Sequence, residues 1–461
     1  MTPNPILFAA VLASAGAVLP IGAASQARRG PQPGSKCIIQ FQGSENGTTR
    51  SNLIKLPSGK YNAYIGGGFI GNCQGQDVTL KSDSAEYYGD QSLMYLISNV
   101  HYAAVRARVD ADHMTYWMDE EHIRAEGNVY AVMASGTTMR GPVADYYRAV
   151  KPIRNDAILV STGRPVLNLV QRDTLTGKPT DTVNVVADRI TSIADSLVYA
   201  GGDVRITRPQ LLATGDSAFM DQGSGIARLM RSPTVEARRS RPFTLTGGVI
   251  DVYSTNRLVS RVVATPNGHA TSQDLQLYAD SVDLRVHNNE LNRAMAWGKG
   301  RAHAVAPDRD ILADSIDALL PNQRIHQIRA VGKAYATSIP DTVTVRAKDR
   351  DWMRGDTLIA TFDSTAKGDT TKTPPVRTII AREHARAFYH VKNEKQKDRP
   401  GINYVVGRDI DLTFLNGGID SVKVREKASG VYIEAVDSAS VAKPAPPKRP
   451  AAPTTRRGPI R

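Results

Sequence analysis

The chain has 461 residues, 41% hydrophobic, 6% aromatic and 22% charged, with a net charge of +13 and a pI near 9.6. That apolar content can line a core, but so few rings exclude a thick interior built on large aromatic side chains. The excess charge would suit nucleic acid, anionic lipid or a surface phosphate polymer. Much of it is local, because Lys443, Lys448, Arg449, Arg456, Arg457 and Arg461 lie in a Pro/Ala-rich stretch over 436–461 that reads as a disordered basic tail, so nucleic acid is not the expected partner.

In chain order, Ile6 to Ala24 is almost continuously apolar and ends in small residues before Gln26, Arg28 and Arg29, which reads as a secretory signal peptide over 1–27. An uncleaved anchor is the alternative, since the first residues carry no Lys or Arg and Pro20 interrupts the apolar run. No later apolar run reaches the length of a membrane helix, so the mature chain is expected to be soluble. Cys37 and Cys73 can pair in an exported protein, with two unpaired thiols as the alternative; their spacing fits neither a metal site nor a redox CxxC.

Residues 28–60 are rich in Gly, Ser, Pro and Asn and read as a lead-in segment. Tyr61 to Cys73, Y-N-A-Y-I-G-G-G-F-I-G-N-C, lacks the Gly-Lys-Ser/Thr of a phosphate cradle and reads as a bulged or sharply turning strand.

A repeat then occupies 61–435, divisible into two consecutive units of about 61–170 and 171–435. Asp83, Asp112, Asp145, Asp188, Asp216, Asp251, Asp280, Asp314, Asp356 and Asp409 recur in related contexts, mostly about 28 to 42 residues apart. Around Asp280 the sequence L-Q-L-Y-A-D-S-V-D-L-R-V alternates apolar and polar on both sides of the Asp, so Leu275, Leu277, Leu284 and Val286 can face one interior from two short strands joined by a corner. Between the Asp copies lie complementary segments with Gly before a short strand, such as E-G-N-V-Y-A-V-M at 126–133 and A-G-G-D-V-R-I at 200–206. Asp can bond its own following amides and Gly can take positive φ, so Asp83, Asp112, Asp188, Asp280 and Asp314 are expected to shape corners and not to catalyse. Polar stretches at 366–377 and 391–401 read as loops between late strands.

S-D-S-A-E-Y-Y (82–88), V-D-A-D-H-M-T-Y-W (109–117) and R-A-E-G-N-V-Y (124–130) resemble the OstA/LptA-type domain of lipopolysaccharide transport, most strongly over about 60–150 and more weakly, as the repeat itself, to about 435. The resemblance implies an all-β fold, a twisted open β-jellyroll or β-taco of stacked antiparallel strand pairs, with no cofactor and no chemistry. It implies a periplasmic protein, associated in some cases with the outer membrane, that shields the acyl chains of lipopolysaccharide or a related lipid in an apolar trough. The corresponding lining residues here are Val78, Leu80, Val183, Val185, Leu275, Leu277, Leu284, Val286 and Ile316. Terminal strand edges would join other bridge proteins, or further copies, by β-augmentation. This chain departs from the pattern in carrying Ser98-Asn99-Val100 where the family has Gly-Asn-Val, in its greater length, and in lacking a large C-terminal barrel.

Other chemistry finds little support. His101, His113 and His122 fall near several carboxylates without metal-ligand spacing, and neither a GxSxG nor a P-loop occurs. The rival readings are a non-catalytic adhesin or scaffold with a filled core and, less favoured, a polysaccharide-acting β-helix whose recurrent Asp residues line a cleft.

Overall fold

The computed structural model describes residues 36–44, 49–172, 179–194, 196–238, 242–255, 258–272, 275–288, 290–340, 345, 347–363, 374–392, 400–415 and 418–434. The signal peptide at 1–27 and the tail at 436–461 lie outside the described residues, as do most of the insertions at 366–377 and 391–401.

The described chain is all-β, with 32 strand segments in one antiparallel sheet and a single 3₁₀ turn at Pro321–Gln323. The longer strands bend near their middle, and elsewhere two short strands meet at the bend, so that each arm pairs with the arms before and after it in its own layer. In the strand Val78–Tyr88, Val78 to Lys81 pairs with His101 to Ala104, while Ser84 to Tyr88 pairs with Leu93 to Ile97. The meander therefore folds into two facing layers joined along a line of corners. The first layer holds Val78 to Lys81 and its equivalents; the second holds Ser84 to Tyr88 and its equivalents.

The inward positions explain the bend. Along Ala107–Trp117 the buried residues are Ala107, Val109 and Ala111, then Met114 and Tyr116. A strand alternates with period two, so this change of parity at Asp112 records one residue inserted at the corner. On the next strand, His122–Met133, Ile123, Ala125, Val129 and Ala131 keep one parity because Gly127 and Asn128 both take positive φ. Ser98 and Asn99 together oppose the single Asp112, the two-against-one count of a β-bulge. Ser98 thus turns the same corner as glycine, with φ of 61°.

The corner Asp residues act across strands. Asp83 accepts from Asn99 Nδ2 at 2.7 Å and Asp112 from Asn128 Nδ2 at 2.8 Å. Asp112, Asp188, Asp280 and Asp314 pack over Gly127, Gly202, Gly298 and Gly332 of the following strand, so closely that a Cβ there would collide with the carboxylate. The expected bonds to their own following amides are replaced by this cross-strand contact, because the bend turns the carboxylate toward the flattened Gly corner beside it. Asp145 and Asp251, two other copies of the repeat, are not at corners. Gly141-Pro142 and Gly247-Gly248 make those bends, and the two carboxylates pair on the outer face with His122 at 2.8 Å and Arg228 at 2.7 Å.

Replacing Gly202, at φ +79°, by Val is expected to cost about 2 kcal/mol or more from left-handed strain and collision. Adding Asp188→Ala should recover only the collision component, read from denaturant midpoints in a double-mutant cycle.

The ladder starts earlier than the repeat in sequence, because Ile39–Gly43 and Arg50–Lys55, within the expected lead-in, both pair with Tyr61–Cys73. It also runs without interruption through residue 170, where Val166–Arg172 pairs with Pro179–Val186. Among the described residues the first and last strands do not pair with each other, so both ends of the ladder are open edges. Cys37 and Cys73 form a disulfide, with Cα atoms 5.0 Å apart, that ties the segment leading into Ile39–Gly43 to the end of Tyr61–Cys73.

Candidate functional site

The space between the layers is the candidate site. One continuous apolar cluster fills it from Cys37 to Leu412. Val78, Leu80, Val183, Val185, Leu277, Leu284 and Ile316 are buried in this interior, and Leu275 and Val286, nearer the strand ends, are half-buried. Gln276 and Arg285 take the opposite parity, toward solvent. Val282, two residues after Asp280, is fully buried and belongs to the same lining, on the parity of Leu284 and Val286, although it is not among the lining residues expected from sequence.

The interior changes character along its length. Near the N-terminus it holds large groups, including Phe69, Tyr102, Tyr116 and Tyr146. Tyr102 of the first layer meets Tyr146 of the second with ring centroids 5.9 Å apart, so the layers are in direct contact there. Aromatic side chains are few in this chain, but four of them fill the interior here.

The mouth between the layers is also closed at this end. Glu121, fully buried, accepts from the Cys37 amide at 2.6 Å and from the Tyr116 hydroxyl at 2.7 Å, and it pairs with Arg148. Arg148 also donates to the Tyr116 hydroxyl at 3.1 Å and to Gln76 Oε1 at 2.6 Å. Cys37 and Gln76 stand at the rim of the first layer, Glu121 and Arg148 at the rim of the second. The ion pair and its hydrogen bonds are therefore a clasp across the mouth.

Burial pushes the Tyr116 hydroxyl well above its ordinary value of 10, and Tyr102 is raised for the same reason. Because the folded values are raised, the unfolded chain loses these protons first. Their contribution to stability is complete below about pH 10 and is lost as pH rises beyond it. Spectrophotometric titration should find these two tyrosines silent until the alkaline unfolding transition.

Farther along, the interior lining is rich in alanine, as at Ala294, Ala296, Ala302, Ala304 and Ala313. Two cavities open between the layers. One of about 230 Å³ has Leu169, Val183 and Ile206 on its first-layer side and Met220, Leu229 and Val252 on its second. The other, of about 500 Å³, lies toward the C-terminus between Ile311, Ala336 and Met353 of the first layer and Leu358, Ile379 and Leu412 of the second. Of the lining residues expected from sequence, only Val183 borders either cavity. Loops at the layer rims, including Gln222 to Gly225 around the first cavity and Ile339-Pro340 at the second, place both cavities at the mouth opposite the corner line.

The corner carboxylates lie on the opposite, convex side. Asp83, Asp112, Asp188 and Asp314 are exposed, and Asp280 is half-buried. They are spaced along a ridge and do not enter the interior. The structure also separates the three histidines. His101 of the first layer bonds Asp110 at 2.7 Å, while His122 of the second is sandwiched between Trp117 and Tyr147. Among the described residues no group of three or more His, Cys, Asp or Glu side chains is placed to hold a metal ion.

The C-terminal cavity follows from alternation that sequence could expose, since Leu358 and Leu412 occupy the inward parity of their strands. The Glu121–Arg148 clasp had no such signal, because its partners are 27 residues apart on neighbouring turns of the second layer, and the groups they hold, the Cys37 amide and Gln76, lie across the mouth in the first. No family model matches this chain, and no curated protein matches it.

Proposed function

We propose that this chain is a non-enzymatic carrier of amphiphiles, an OstA/LptA-like periplasmic bridge that holds the acyl chains of lipopolysaccharide or a related lipid between its two layers. The observation that carries the reading is the pair of apolar cavities at the mouth, the larger of about 500 Å³, in a fold whose interior is otherwise continuous hydrophobic surface. A cavity of that size lies within the range of ligand sites, and each methylene it takes from water contributes about 0.8 kcal/mol. Acyl-chain binding therefore needs little polar recognition. In this reading the open edges at Arg50–Lys55 and Ser429–Ile433 offer unpaired backbone groups for augmentation by another bridge protein or a second copy.

A filled scaffold is the second reading, and the N-terminal interior favours it, because Tyr102, Tyr116 and Tyr146 occupy the space that a lipid would need. In the carrier reading that end is a closed terminus, and lipid occupies the part of the trough beyond it.

Photo-crosslinking to lipopolysaccharide separates the two. Diazirine labels at Ile379 and Leu412, which line the large cavity, are expected to capture lipid, while labels at the exposed Arg354 and Arg386 are not. Equal labelling of both faces, or none at all, would exclude the carrier.

A further inference from the structure

The large cavity is apolar over most of its wall, but Arg309 stands at its rim beside Asp308. Asp308 engages one edge of the guanidinium, accepting from Nε at 3.0 Å and from Nη2 at 2.6 Å. The remaining nitrogen, Nη1, is shut off from solvent and has no hydrogen-bond partner. A buried N–H without an acceptor costs free energy comparable to a lost hydrogen bond, and more when the group is charged. Its natural complement is an anionic oxygen, since guanidinium donors match phosphate and carboxylate geometry.

The other charges around the cavity leave this position available. Asp308 is already committed to Arg309. Asp351, the second carboxylate on the wall, accepts from the His390 amide at 3.0 Å and contacts His390 Nδ1 at 2.7 Å. Arg350, near the same rim, is bound to Asp310 at 2.7 Å. The Arg309 side chain retains 26% of its exposure through its other atoms, so a head group at the mouth meets the guanidinium and gains Nη1 when that group turns outward, while an attached chain lies among Ile311, Leu358 and Phe414.

We infer that the C-terminal cavity is a binding site for an amphiphile with an apolar chain and an anionic phosphate or carboxylate head, and that Arg309 selects the charge. The inference rests on the carrier reading, to which it adds a head-group requirement.

Calorimetric titration of the full chain with four probes tests it: decyl phosphate, decanol, decyltrimethylammonium and inorganic phosphate, each below any micellar concentration. Decyl phosphate is expected to bind about ten-fold or more tightly than decanol, and the cationic amphiphile more weakly than either, as a charge-assisted hydrogen bond requires. Inorganic phosphate alone should not bind measurably, which separates a lipid site from a free-anion site. R309M should bring decyl phosphate and decanol within about two-fold of each other while leaving decanol unchanged. D308N, which frees a second edge of the guanidinium, should tighten decyl phosphate only. A336F, which fills the cavity, should abolish binding of both chains.

Equal affinity for decyl phosphate and decanol in the unmodified chain overturns the charge selection and leaves the carrier reading standing. Parallel loss of both probes in R309M does the same when circular dichroism finds the variant folded. Failure of every decyl compound to bind overturns the carrier reading and this inference together.

Discussion

Arg148→Ala is expected to destabilise the N-terminal part of the ladder by about 3–5 kcal/mol, the usual cost of leaving a buried charge without its partner. Glu121 is fully buried, and Arg148 is the cation that pairs with it. The Cys37 amide and the Tyr116 hydroxyl would remain as donors, but neither carries the compensating charge. The loss should be local, because each strand in a meander of this kind contacts mainly its neighbours. Hydrogen exchange should accelerate across the strands between Tyr61 and Tyr147, while strands beyond Leu275 keep their protection. The double variant Glu121→Leu with Arg148→Met should recover much of the loss, since a pair replaced by apolar groups leaves no orphaned charge. Recovery will be incomplete, because the Cys37 amide loses its acceptor in that variant. If Arg148→Ala alone costs less than about 1 kcal/mol, the pair is not a clasp but a solvated contact.

Loss of the disulfide should be the second large effect. Cys37 and Cys73 are separated by 36 residues, and a loop of that length contributes about 3–4 kcal/mol in the chain-entropy model. Here the bridge does a second job, because Cys37 supplies the amide that Glu121 accepts across the mouth. Removing both cysteines as Cys37→Ala with Cys73→Ala should therefore loosen the clasp as well as the first strand. The two perturbations share one structure, so their effects should not add. A cycle combining the cysteine pair with Arg148→Ala is expected to yield a coupling energy of about 0.5–3 kcal/mol, measured from denaturant midpoints. Strict additivity would mean that the first strand is anchored independently of the mouth.

These two effects concern the closed end, whereas the two cavities lie farther along the interior. The contrast has a simple origin in side-chain volume. At the N-terminal end the inward positions carry Phe69, Met94, Tyr102, Met114, Tyr116 and Tyr146, and the layers meet through them. From Ala294 onward many inward positions carry alanine, so the layers can face one another with space left between them. Both segments have the same alternating pattern, which reports the direction of a side chain and not its size.

What the sequence determined by itself was the local geometry. The alternation around Asp280, with Leu275 and Leu277 on one parity and Leu284 on the other, already encodes a strand with one residue inserted at its corner, because periodicity two admits no other way to keep both arms on a single interior. The Gly-Asn pair of 127–128 likewise announces left-handed backbone. The role of Asp112 was only half legible. Its place at a corner followed from the repeat, but its bond to Asn128 depends on which corner lies beside it, and that is set by strand pairing.

Only the tertiary structure decided where the interior is filled and where it is open. Glu121 and Arg148 carry no pattern that distinguishes them from surface charges; they become a buried pair because neighbouring turns of the second layer bring them together and the first-layer rim, with Cys37 and Gln76, closes over them. Arg309 likewise looks like any strand-end arginine until Asp308, Phe362 and the cavity wall surround it. The physical reason is common to both cases. Direction along a strand is a local property of backbone pleat, whereas the space enclosed between two layers is a sum over side chains distant in sequence, and it exists only once those layers face each other.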